Sequence, residues 1–235
     1  MIGPLVNAAS TLSGGLAGTL LAHRVTGAVR ARLNLVLGLA AAGMGIALCG
    51  RLHALAPVIL ALLAGAMLGE VLRIETALGR LAGALRRLVD RLMPDLHASG
   101  LSHAEHSDRL VAALVLFTAS GTGIFGAMNE GITGDPSILF VKAALDLVTA
   151  AVLAADLGLS IAVIAVPQVL AQLGFFMLGR WIMPLVTPEM LADFSGLGGI
   201  VMLATGLRIC GLAPFPVANM LPALVLVMPV SALMG

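Results

Sequence analysis

The sequence predicts an all-α integral membrane protein, a bundle of seven or eight membrane-spanning helices. Of its 235 residues, 60% are hydrophobic and only 11% are charged, whereas soluble domains are about 25% charged and less than half apolar. Several uninterrupted apolar runs approach the roughly 20 residues that a helix needs to cross the hydrocarbon core of a bilayer. Because little polar sequence remains between these runs, residues 1–235 are predicted to form a single membrane domain.

Hydropathy places eight candidate spans along the chain, or seven if one of them is re-entrant. Their approximate bounds are residues 3–22, 33–50, 54–69, 109–128, 137–155, 159–179, 196–211 and 216–234. The first segment has no positively charged region like that of a signal peptide, and polar side chains interrupt its apolar run. We therefore interpret it as a retained span.

Arginines concentrate in two of the predicted loops and set the expected orientation of the chain. The group after the first span consists of Arg24, Arg30 and Arg32. The group after the third span consists of Arg73, Arg80, Arg86, Arg87 and Arg91. By the positive-inside rule, these loops face the cytoplasm. The prediction is a multi-pass protein of the cytoplasmic (inner) membrane with both termini outside.

A helix of another kind is predicted between the third and fourth spans, over residues 70–94. Apolar residues recur there at alternating steps of three and four, namely Val71, Ile74, Leu78, Leu81, Leu85, Leu88 and Leu92. The pattern indicates an amphipathic helix, and we favour one that lies on the inner leaflet with its arginines toward the lipid headgroups. The alternative is a coiled-coil seam, which would make the protein a homo-oligomer.

Several function classes lack support in the sequence. The formal net charge is +1 and there is no long stripe of lysine and arginine, so no nucleic-acid partner is predicted. The chain has no G-x-S-x-G and no H-E-x-x-H motif, and we predict neither an enzyme nor a bound cofactor. Histidines and acidic residues occur between residues 97 and 108, but their spacing is irregular, so no metal site is predicted.

Two parts of the chain resemble each other and predict an internal repeat. Residues 43–50 align with residues 204–211, with two glycines and a cysteine shared, and residues 57–64 align with residues 216–223. On the predicted topology the two copies run in opposite directions, which is the inverted-repeat pattern of many secondary transporters. Spans one to three would then pair with spans six to eight around a central hairpin. A composition so rich in small apolar residues also produces such matches by chance.

The stretch FVKAALDLV, residues 140–148, carries two opposite charges inside a predicted span. An isolated charge at the bilayer centre costs about 2.5–3.5 kcal/mol on insertion scales, so the charge of Asp146 must be compensated. Lys142 lies one helical turn earlier, where the two side chains share a face. One interpretation is a permanent ion pair that holds helices together. The other, which we favour because intramembrane charges commonly mark pathways, is an exchangeable pair in a solute pathway.

Further polar residues in the predicted spans complete the candidate pathway. Pro167 removes a backbone donor in mid-span beside Gln168 and Gln172, which share one face. A helix broken in this way can coordinate an ion or a small polar solute, although an ordinary kink is the alternative. The predicted midplane site consists of Asn7, Lys142, Asp146, Gln168, Gln172 and Asn219, with Asn129 and Glu130 at its outer mouth.

Seven stretches give the chain a resemblance to a known family. They are GPLVNAASTLSGGLAG, MLGEVLRIE, GIFGAMNEGITGD, FVKAALDLV, GLSIAVIAVPQVLAQLG, GGIVMLATGLRI and VANMLPAL. With the stretches in this order, the chain resembles the bacterial inner-membrane proteins catalogued as domain of unknown function 554. The resemblance extends nearly from end to end. Members are described as multi-pass membrane proteins and sometimes as transporters, so the resemblance implies the class and leaves the substrate open.

Together these features predict a transporter or channel-like permease that moves an ion or a small polar solute across the membrane. With no tyrosine and one tryptophan, the chain cannot build an aromatic cage for choline-like cations or a stacking platform for sugars. The expected partners are the lipid bilayer and the solute. The alternative function is that of a membrane scaffold or signalling protein, which transports nothing and acts through the amphipathic helix at residues 70–94.

Overall fold

The computed structural model describes residues 1–20, 27–78, 80, 109–110, 113–114, 116–118 and 120–234, and this part of the chain is helical, without a strand. Its helices are α1 (Ile2–Leu20), α2 (Gly27–Cys49), α3 (Leu55–Val71), α4 (Gly121–Thr133), α5 (Ser137–Leu157), α6 (Ser160–Val163), α7 (Ala165–Ile182), α8 (Pro188–Ile209), α9 (Val217–Met220) and α10 (Pro222–Met234). A short 3-10 turn, Met183–Leu185, extends α7.

Four helical segments among the described residues are long and apolar enough to cross a membrane. They are Ser137–Leu157, Ser160–Leu185, Pro188–Ile209 and Val217–Met234. Two shorter apolar helices, Leu35–Cys49 and Leu55–Val71, match the second and third predicted spans. α1 coincides with the first predicted span, but glycines and polar side chains dilute its apolar residues, so it is not among the four.

The fourth predicted span is wrong as one continuous helix. Residues 116–118 are helical, but the backbone of Ser120 is extended, with ψ of 136°. Its hydroxyl accepts a hydrogen bond from the backbone N–H of Gly123, 3.1 Å away, so Ser120 caps α4. Serine favours this conformation, and Gly121 and Gly123 have low helix propensity. The break puts the first turn of α4 in the interior of the bundle, where it is buried.

The bundle places small residues inside and large apolar residues outside. On α1, the buried residues are Gly3, Pro4, Asn7, Thr11, Gly14, Gly15 and Gly18. The exposed side of the same helix carries Ile2, Leu5, Leu12 and Leu16. α3 has the same pattern, since it buries Gly65 and Gly69 and exposes Leu63 and Met67. Small residues at helix contacts and leucines on the outside suit a bundle whose solvent is lipid.

Two pairs of helices run parallel, and glycines form their contacts. α1 packs along α5, and α4 packs along α7. The contacts that fix these directions are Gly14 with Leu147, Gly18 with Ala151, Gly123 with Gln172, and Gly131 with Phe176. Parallel neighbours cannot be joined by a short turn, so each pair brings together helices that are distant in sequence.

Two other pairs run antiparallel, and the contacts between α2 and α8 are reciprocal. A Cβ on Gly45 would lie 2.6 Å from the carbonyl oxygen of Gly199, and a Cβ on Gly199 would lie 2.6 Å from that of Gly45. Gly38 and Gly206 face each other in the same way. Gly199 follows Gly38 by 161 positions (199 − 38), and Gly206 follows Gly45 by the same number (206 − 45). Positions that align in sequence therefore occupy equivalent places in this interface.

The two cysteines extend the reciprocal pattern. The thiol of Cys49 lies 3.7 Å from the carbonyl oxygen of Gly196, and the thiol of Cys210 lies 3.6 Å from that of Leu35. Cys210 follows Cys49 by 161 positions (210 − 49), as Gly196 follows Leu35 (196 − 35). Both thiols are free. The second antiparallel pair, α3 with α9 and α10, meets at Gly65 and Gly69.

The two ends of the bundle are held by different contacts. At the end we call the terminal face, Glu130 near the end of α4 binds the start of α1, and Ser231 of α10 donates to Asp193 near the start of α8. At the opposite end, the cavity face, Asn219 at α9 donates to Glu70 at the end of α3. The start of α1 and the end of α10 therefore lie at the terminal face.

Most of the predicted amphipathic helix lies outside the described residues. After α3 the chain turns, with Arg73 at a φ of 51°, and residues 74–78 begin a new helical segment. Residues 81–94, which carry most of the heptad pattern, lie outside the described part of the chain. So does the histidine-containing stretch 97–108.

Candidate functional site

A buried ion pair on α5 is the centre of the candidate site. The Nζ atom of Lys142 lies 2.8 Å from each carboxylate oxygen of Asp146. Lys142 is 4% exposed and Asp146 is 7% exposed. Their i, i+4 spacing places them on one face of α5, and the two charges compensate each other inside the bundle.

Three other helices complete the surroundings of the pair. From α7, Gln168 donates a hydrogen bond through Nε2 to Oδ2 of Asp146, over 2.8 Å. From α1, the amide of Asn7 lies beside the same carboxylate without a well-formed hydrogen bond. From α4, Gly123 faces the lysine, and a Cβ at this position would lie 2.8 Å from Cε of Lys142. Glycine at this position therefore leaves the room that the lysine stem requires.

Four uncharged side chains of α1 and α7 form a second group next to the pair, which we call the polar quartet. Its members are Asn7, Thr11, Gln168 and Gln172, each 0% or 1% exposed. Within the described part of the chain, the amides of Asn7 and Gln172, the hydroxyl of Thr11 and Oε1 of Gln168 have no hydrogen-bond partner. Leaving a buried polar group unpartnered costs about 1–3 kcal/mol. The bundle thus retains a cluster that destabilises it, which is typical of functional sites.

A cavity of about 180 Å³ lies against the ion pair. Lys142 and Asp146 line it together with four hydroxyl residues, Ser120, Thr122, Thr149 and Thr205. Its remaining walls are apolar side chains of α2, α5, α8 and the segment before α4. The pair is therefore accessible to a small molecule from inside the bundle.

A larger cavity of about 630 Å³ adjoins the first one at the cavity face. The two cavities share the wall residues Leu116, Ser120, Leu153, Thr205 and Ile209. Two ion pairs line the larger cavity: Arg109 lies 3.1 Å from Asp156, and Arg208 lies 2.7 Å from Glu75. The shared wall, which includes the hydroxyl groups of Ser120 and Thr205, places the charged cavity next to the one that Lys142 and Asp146 line.

Asn129 and Glu130 lie at the terminal face, away from the ion pair. Glu130 is 3% exposed and accepts hydrogen bonds from the amine of Met1, at 2.7 Å, and from the backbone N–H of Gly3, at 3.2 Å. Asn129 donates to the hydroxyl of Thr133 at 3.4 Å. Glu130 thus anchors the start of α1, because a carboxylate suits the exposed N–H groups of a helix N-terminus. This differs from the open mouth that the sequence predicts.

Asn219 lies at the cavity face and not beside the ion pair. Its Nδ2 donates to Glu70 at 2.6 Å, and its Oδ1 accepts from the backbone N–H of Glu75 at 2.9 Å. Glu75 in turn binds Arg208 and lines the larger cavity. Asn219 therefore positions a charged group at the entrance instead of contributing to the central site.

Sequence reasoning missed Thr11 and the hydroxyl residues of the smaller cavity. Single Ser and Thr residues carry little signal in an apolar helix because their hydroxyls commonly bond a carbonyl four residues earlier, as Thr205 bonds Val201. A signal for Thr11 was present: it follows Asn7 by four residues, as Gln172 follows Gln168. Gln168 also follows Asn7 by the 161 positions (168 − 7) that separate the matched glycines.

A second buried carboxylate, Asp193, lies outside the candidate site. Its Oδ1 accepts from the backbone N–H groups of His53 and Ala54, at 3.0 and 2.7 Å, and its Oδ2 accepts from the hydroxyl of Ser231 at 2.7 Å. Fixed donors therefore satisfy both oxygens. Asp193 caps α3 and ties it to α8 and α10, so its role is structural.

Comparison with known proteins assigns the chain to a family. The family described as Protein of unknown function (DUF554) matches residues 2–232. The chain belongs to this family. Among DUF554 relatives, "Uncharacterized protein YqgA" of Escherichia coli (strain K12) is 45% identical over 234 residues, which cover 99% of this chain and 97% of the relative.

A more distant DUF554 relative carries a description of its location. "Uncharacterized membrane protein YdfK" of Bacillus subtilis (strain 168) is 26% identical over 230 residues, which cover 96% of this chain and 93% of the relative. No solved structure matches the chain. The relative's description and the four span-length helices agree on a membrane location.

Proposed function

We propose that this DUF554 protein is a permease that moves an ion or a small polar solute across the cytoplasmic membrane, with Lys142 and Asp146 at its central site. One observation carries the proposal: a buried ion pair lines a cavity that shares part of its wall with a wider, charged cavity at one end of the bundle. A pair that only holds helices together needs no such access. Asp193 illustrates the difference, since fixed donors enclose it.

The size and chemistry of the inner cavity restrict the solute. A volume of about 180 Å³ suits a small solute and is too small for a nucleotide. Hydroxyl groups and one charge of each sign suit an ion or a small zwitterion, because either can replace one partner of the ion pair. Trp181, the one tryptophan, is 79% exposed and lines neither cavity.

Inverted repeats are part of the proposal. The reciprocal contacts of α2 with α8 support them, since glycines and cysteines 161 positions apart meet equivalent neighbours. The parallel pairs support them as well. If α1 corresponds to α7, and α5 corresponds to α4, then the pair of α1 with α5 corresponds to the pair of α7 with α4. In the repeat that the sequence predicts, α4 and α5 form a hairpin between the two copies. In this arrangement each half would instead contain one of these two helices. Repeat interfaces near the midplane are where secondary transporters bind their substrates.

Orientation follows from the distribution of arginines over the two faces. Described arginines at or near the cavity face are Arg32, Arg73, Arg80, Arg109 and Arg208, whereas Arg51 and Arg180 lie near the terminal face. By the positive-inside rule the cavity face is cytoplasmic. The conformation then corresponds to an inward-open state of a protein with eight crossings.

Flux into proteoliposomes tests the proposal. Four radiolabelled probes represent the candidate solute classes: sodium for cations, chloride for anions, glycine for zwitterions and urea for neutral solutes. We expect the wild-type protein to carry at least one of them and Asp146→Asn to reduce that flux about tenfold or more. The matched control is Asp193→Asn, which changes a buried carboxylate outside the site and should retain flux per folded molecule.

Two results would count against the proposal. If no probe crosses faster than in protein-free vesicles, the scaffold or signalling function based on residues 70–94 becomes the better explanation. If Asp146→Asn carries solute as well as the wild type does, Asp146 has been assigned the wrong role.

A further inference from the structure

We propose that the polar quartet and the carboxylate of Asp146 form a binding site for one dehydrated monovalent cation, with Na⁺ as the reference ion. The site is distinct from the 180 Å³ cavity, because none of Asn7, Thr11, Gln168 and Gln172 lines that cavity. Asp146 belongs to both and links them. The inference rests on the proposed permease function for its purpose, but it is tested by equilibrium binding, which is measured without flux.

The geometry at Asp146 fixes which atoms of the quartet can act as ligands. A carboxylate only accepts hydrogen bonds, so Gln168 must donate to Asp146 through Nε2. The distance between Nε2 and Oδ2 of Asp146 is 2.8 Å. Oε1 of the same amide therefore points elsewhere, and it has no partner among the described residues. Oδ1 of Asn7, Oγ1 of Thr11 and Oε1 of Gln172 are likewise buried acceptors without a donor. Four neutral oxygens and one carboxylate thus lie buried on three helices that contact one another.

This set of ligands selects the class of ion. Hard cations take oxygen ligands, and Ca²⁺ or Mg²⁺ sites generally add further carboxylates or retained waters. Among the described residues, no three His, Cys, Asp or Glu side chains cluster to hold a metal ion, which disfavours a transition metal. A single carboxylate balances the charge of a single monovalent cation, and the ammonium of Lys142, once released from Asp146, is then the net charge of the interior.

Lys142 is a tethered competitor for this cation. Its ammonium lies 2.8 Å from both oxygens of Asp146, where a bound cation would make its strongest contact. The inner cavity, which Lys142 also lines, offers the ammonium a place to withdraw. Cation binding and release of Lys142 are therefore coupled. This exchange would change the charge that the solute cavity presents.

The positions of the quartet in the sequence support a shared role. Asn7 and Gln168 are separated by the same 161 positions (168 − 7) as Thr11 and Gln172 (172 − 11). Each pair of residues four apart lies on one face of its helix. In the proposed repeat the two helices are equivalent, so the quartet is a site formed where the halves meet, which is where inverted-repeat transporters bind their ions.

Thermal unfolding of the purified full-length protein tests the site. We expect about 100 mM NaCl to raise the Tm by at least about 3 °C over choline chloride, in a saturable way, because a ligand that binds only the folded state stabilises it. Gln172→Leu should abolish this shift. The same variant should have a higher Tm than the wild type in choline chloride, since it removes an unpartnered buried amide.

Two further variants sharpen the test. Ser195→Ala is the matched control, because Ser195 is a buried hydroxyl whose bond to Leu191 lies outside the quartet, and its Na⁺ shift should equal that of the wild type. Lys142→Met should bind Na⁺ at least about tenfold more tightly, because it removes the competing ammonium. If Lys142→Met purifies poorly in choline chloride, recovery in NaCl is the expected result.

Several outcomes would overturn the inference. These are no Na⁺ shift in either the wild type or Lys142→Met, a shift that survives in Gln172→Leu, or an equal response to MgCl₂ at matched ionic strength. Flux without any Na⁺ shift would reject the cation site and leave the permease standing. A Na⁺ shift in a protein that carries none of the four probes would reject the permease and leave the cation site standing.

Discussion

At the scale of single residues, Asp146 and Asp193 show how the surroundings of a carboxylate distinguish a pathway from a cap. Both are buried in the bundle. Asp193 receives one hydroxyl and two backbone N–H groups, and no side-chain rearrangement can remove the backbone donors. Asp146 receives a long lysine side chain and one glutamine amide, and it borders a cavity. Flexible partners and an adjoining cavity are what the proposed exchange of this ion pair requires.

Replacing both members of the pair separates a structural role from a functional one. Asp146→Asn alone leaves the ammonium of Lys142 buried without a counter-charge, and it should destabilise the protein by about 3–5 kcal/mol. The double variant Lys142→Met with Asp146→Leu buries no charge, and it should match or exceed the stability of the wild type by about 1–4 kcal/mol. Thermal or denaturant unfolding in detergent measures both.

The double variant should nevertheless carry no solute, because the groups that exchange with it are gone. Flux in the same proteoliposome assay is the readout. A permanent ion pair predicts the opposite combination, in which the double variant is stable and fully active, and this result would return the pair to a structural role.

The residues of the candidate site were predictable to the extent that charge and spacing reveal them. Lys142, Asp146 and Gln168 do meet, because an intramembrane charge has few alternatives to a nearby partner. Asn219 was misplaced, since hydropathy gives the depth of a residue only through its distance from the end of a span. Its contact with Glu70 depends on how α3 and α9 pair, which no local pattern encodes.

At the scale of helices, glycines decide which elements can approach. Gly45 on α2 contacts α8 so closely that a Cβ would lie 2.6 Å from backbone atoms of Gly199 and Leu203. Gly43, two residues earlier on the same helix, has no atom within 4 Å of the position of a Cβ. One helix thus carries a glycine that the packing requires and a glycine that it does not.

These two glycines provide a matched pair of variants. Gly45→Ala should destabilise the protein by about 1–3 kcal/mol, because the helices must separate to admit the methyl group. Gly43→Ala should be neutral or stabilising by up to about 1 kcal/mol, because alanine favours the helix and meets nothing. Equal effects of the two substitutions on the unfolding free energy would contradict the described contact between α2 and α8.

Helix positions were largely predictable, whereas the break at Ser120 was not. Long apolar runs predict the approximate bounds of α5 and α7, since a membrane core demands about 20 apolar residues, but α8 begins at Pro188, eight residues (196 − 188) before the predicted start at 196. The stretch around Ser120 is equally apolar, so the hydropathy pattern predicts one uninterrupted helix there. Its interruption depends on a hydroxyl that caps α4 and on the burial of that first turn against Lys142. Such an end inside the bundle is tolerated only because polar groups there satisfy it.

At the scale of the whole molecule, the reciprocal interface between α2 and α8 predicts two equivalent cross-links. A Cβ on Gly199 would lie 2.9 Å from the sulfur of Cys49, and a Cβ on Gly38 would contact the sulfur of Cys210. A disulfide bond places each Cβ about 3 Å from the partner sulfur. Gly199→Cys in a Cys210→Ser background, and Gly38→Cys in a Cys49→Ser background, should each oxidise to an internal disulfide in membranes.

Free-thiol labelling before and after mild oxidation measures these cross-links. Gly43→Cys is the control, because its side chain would face outward and should remain reduced. If one of the two cross-links forms and the other does not, the interface is not reciprocal, and the proposed repeat loses its main support.

The topology of the whole chain can be decided by where an impermeant maleimide reaches single cysteines. In a Cys49→Ser, Cys210→Ser background, Asp135→Cys and Met234→Cys place a thiol at the terminal face, and Leu212→Cys places one in the loop after α8 at the cavity face. All three positions are exposed. With the cavity face cytoplasmic, intact spheroplasts should label the thiols at 135 and 234, and the thiol at 212 only after permeabilisation. Between 135 and 234 the chain would cross four times, through α5, α6–α7, α8 and α9–α10, so these two positions must behave alike.

Opposite labelling at 135 and 234 would mean that one of the four segments does not cross. Labelling of 212 alone in intact spheroplasts would place the charged cavity outside the cell and reverse the proposed inward-open state.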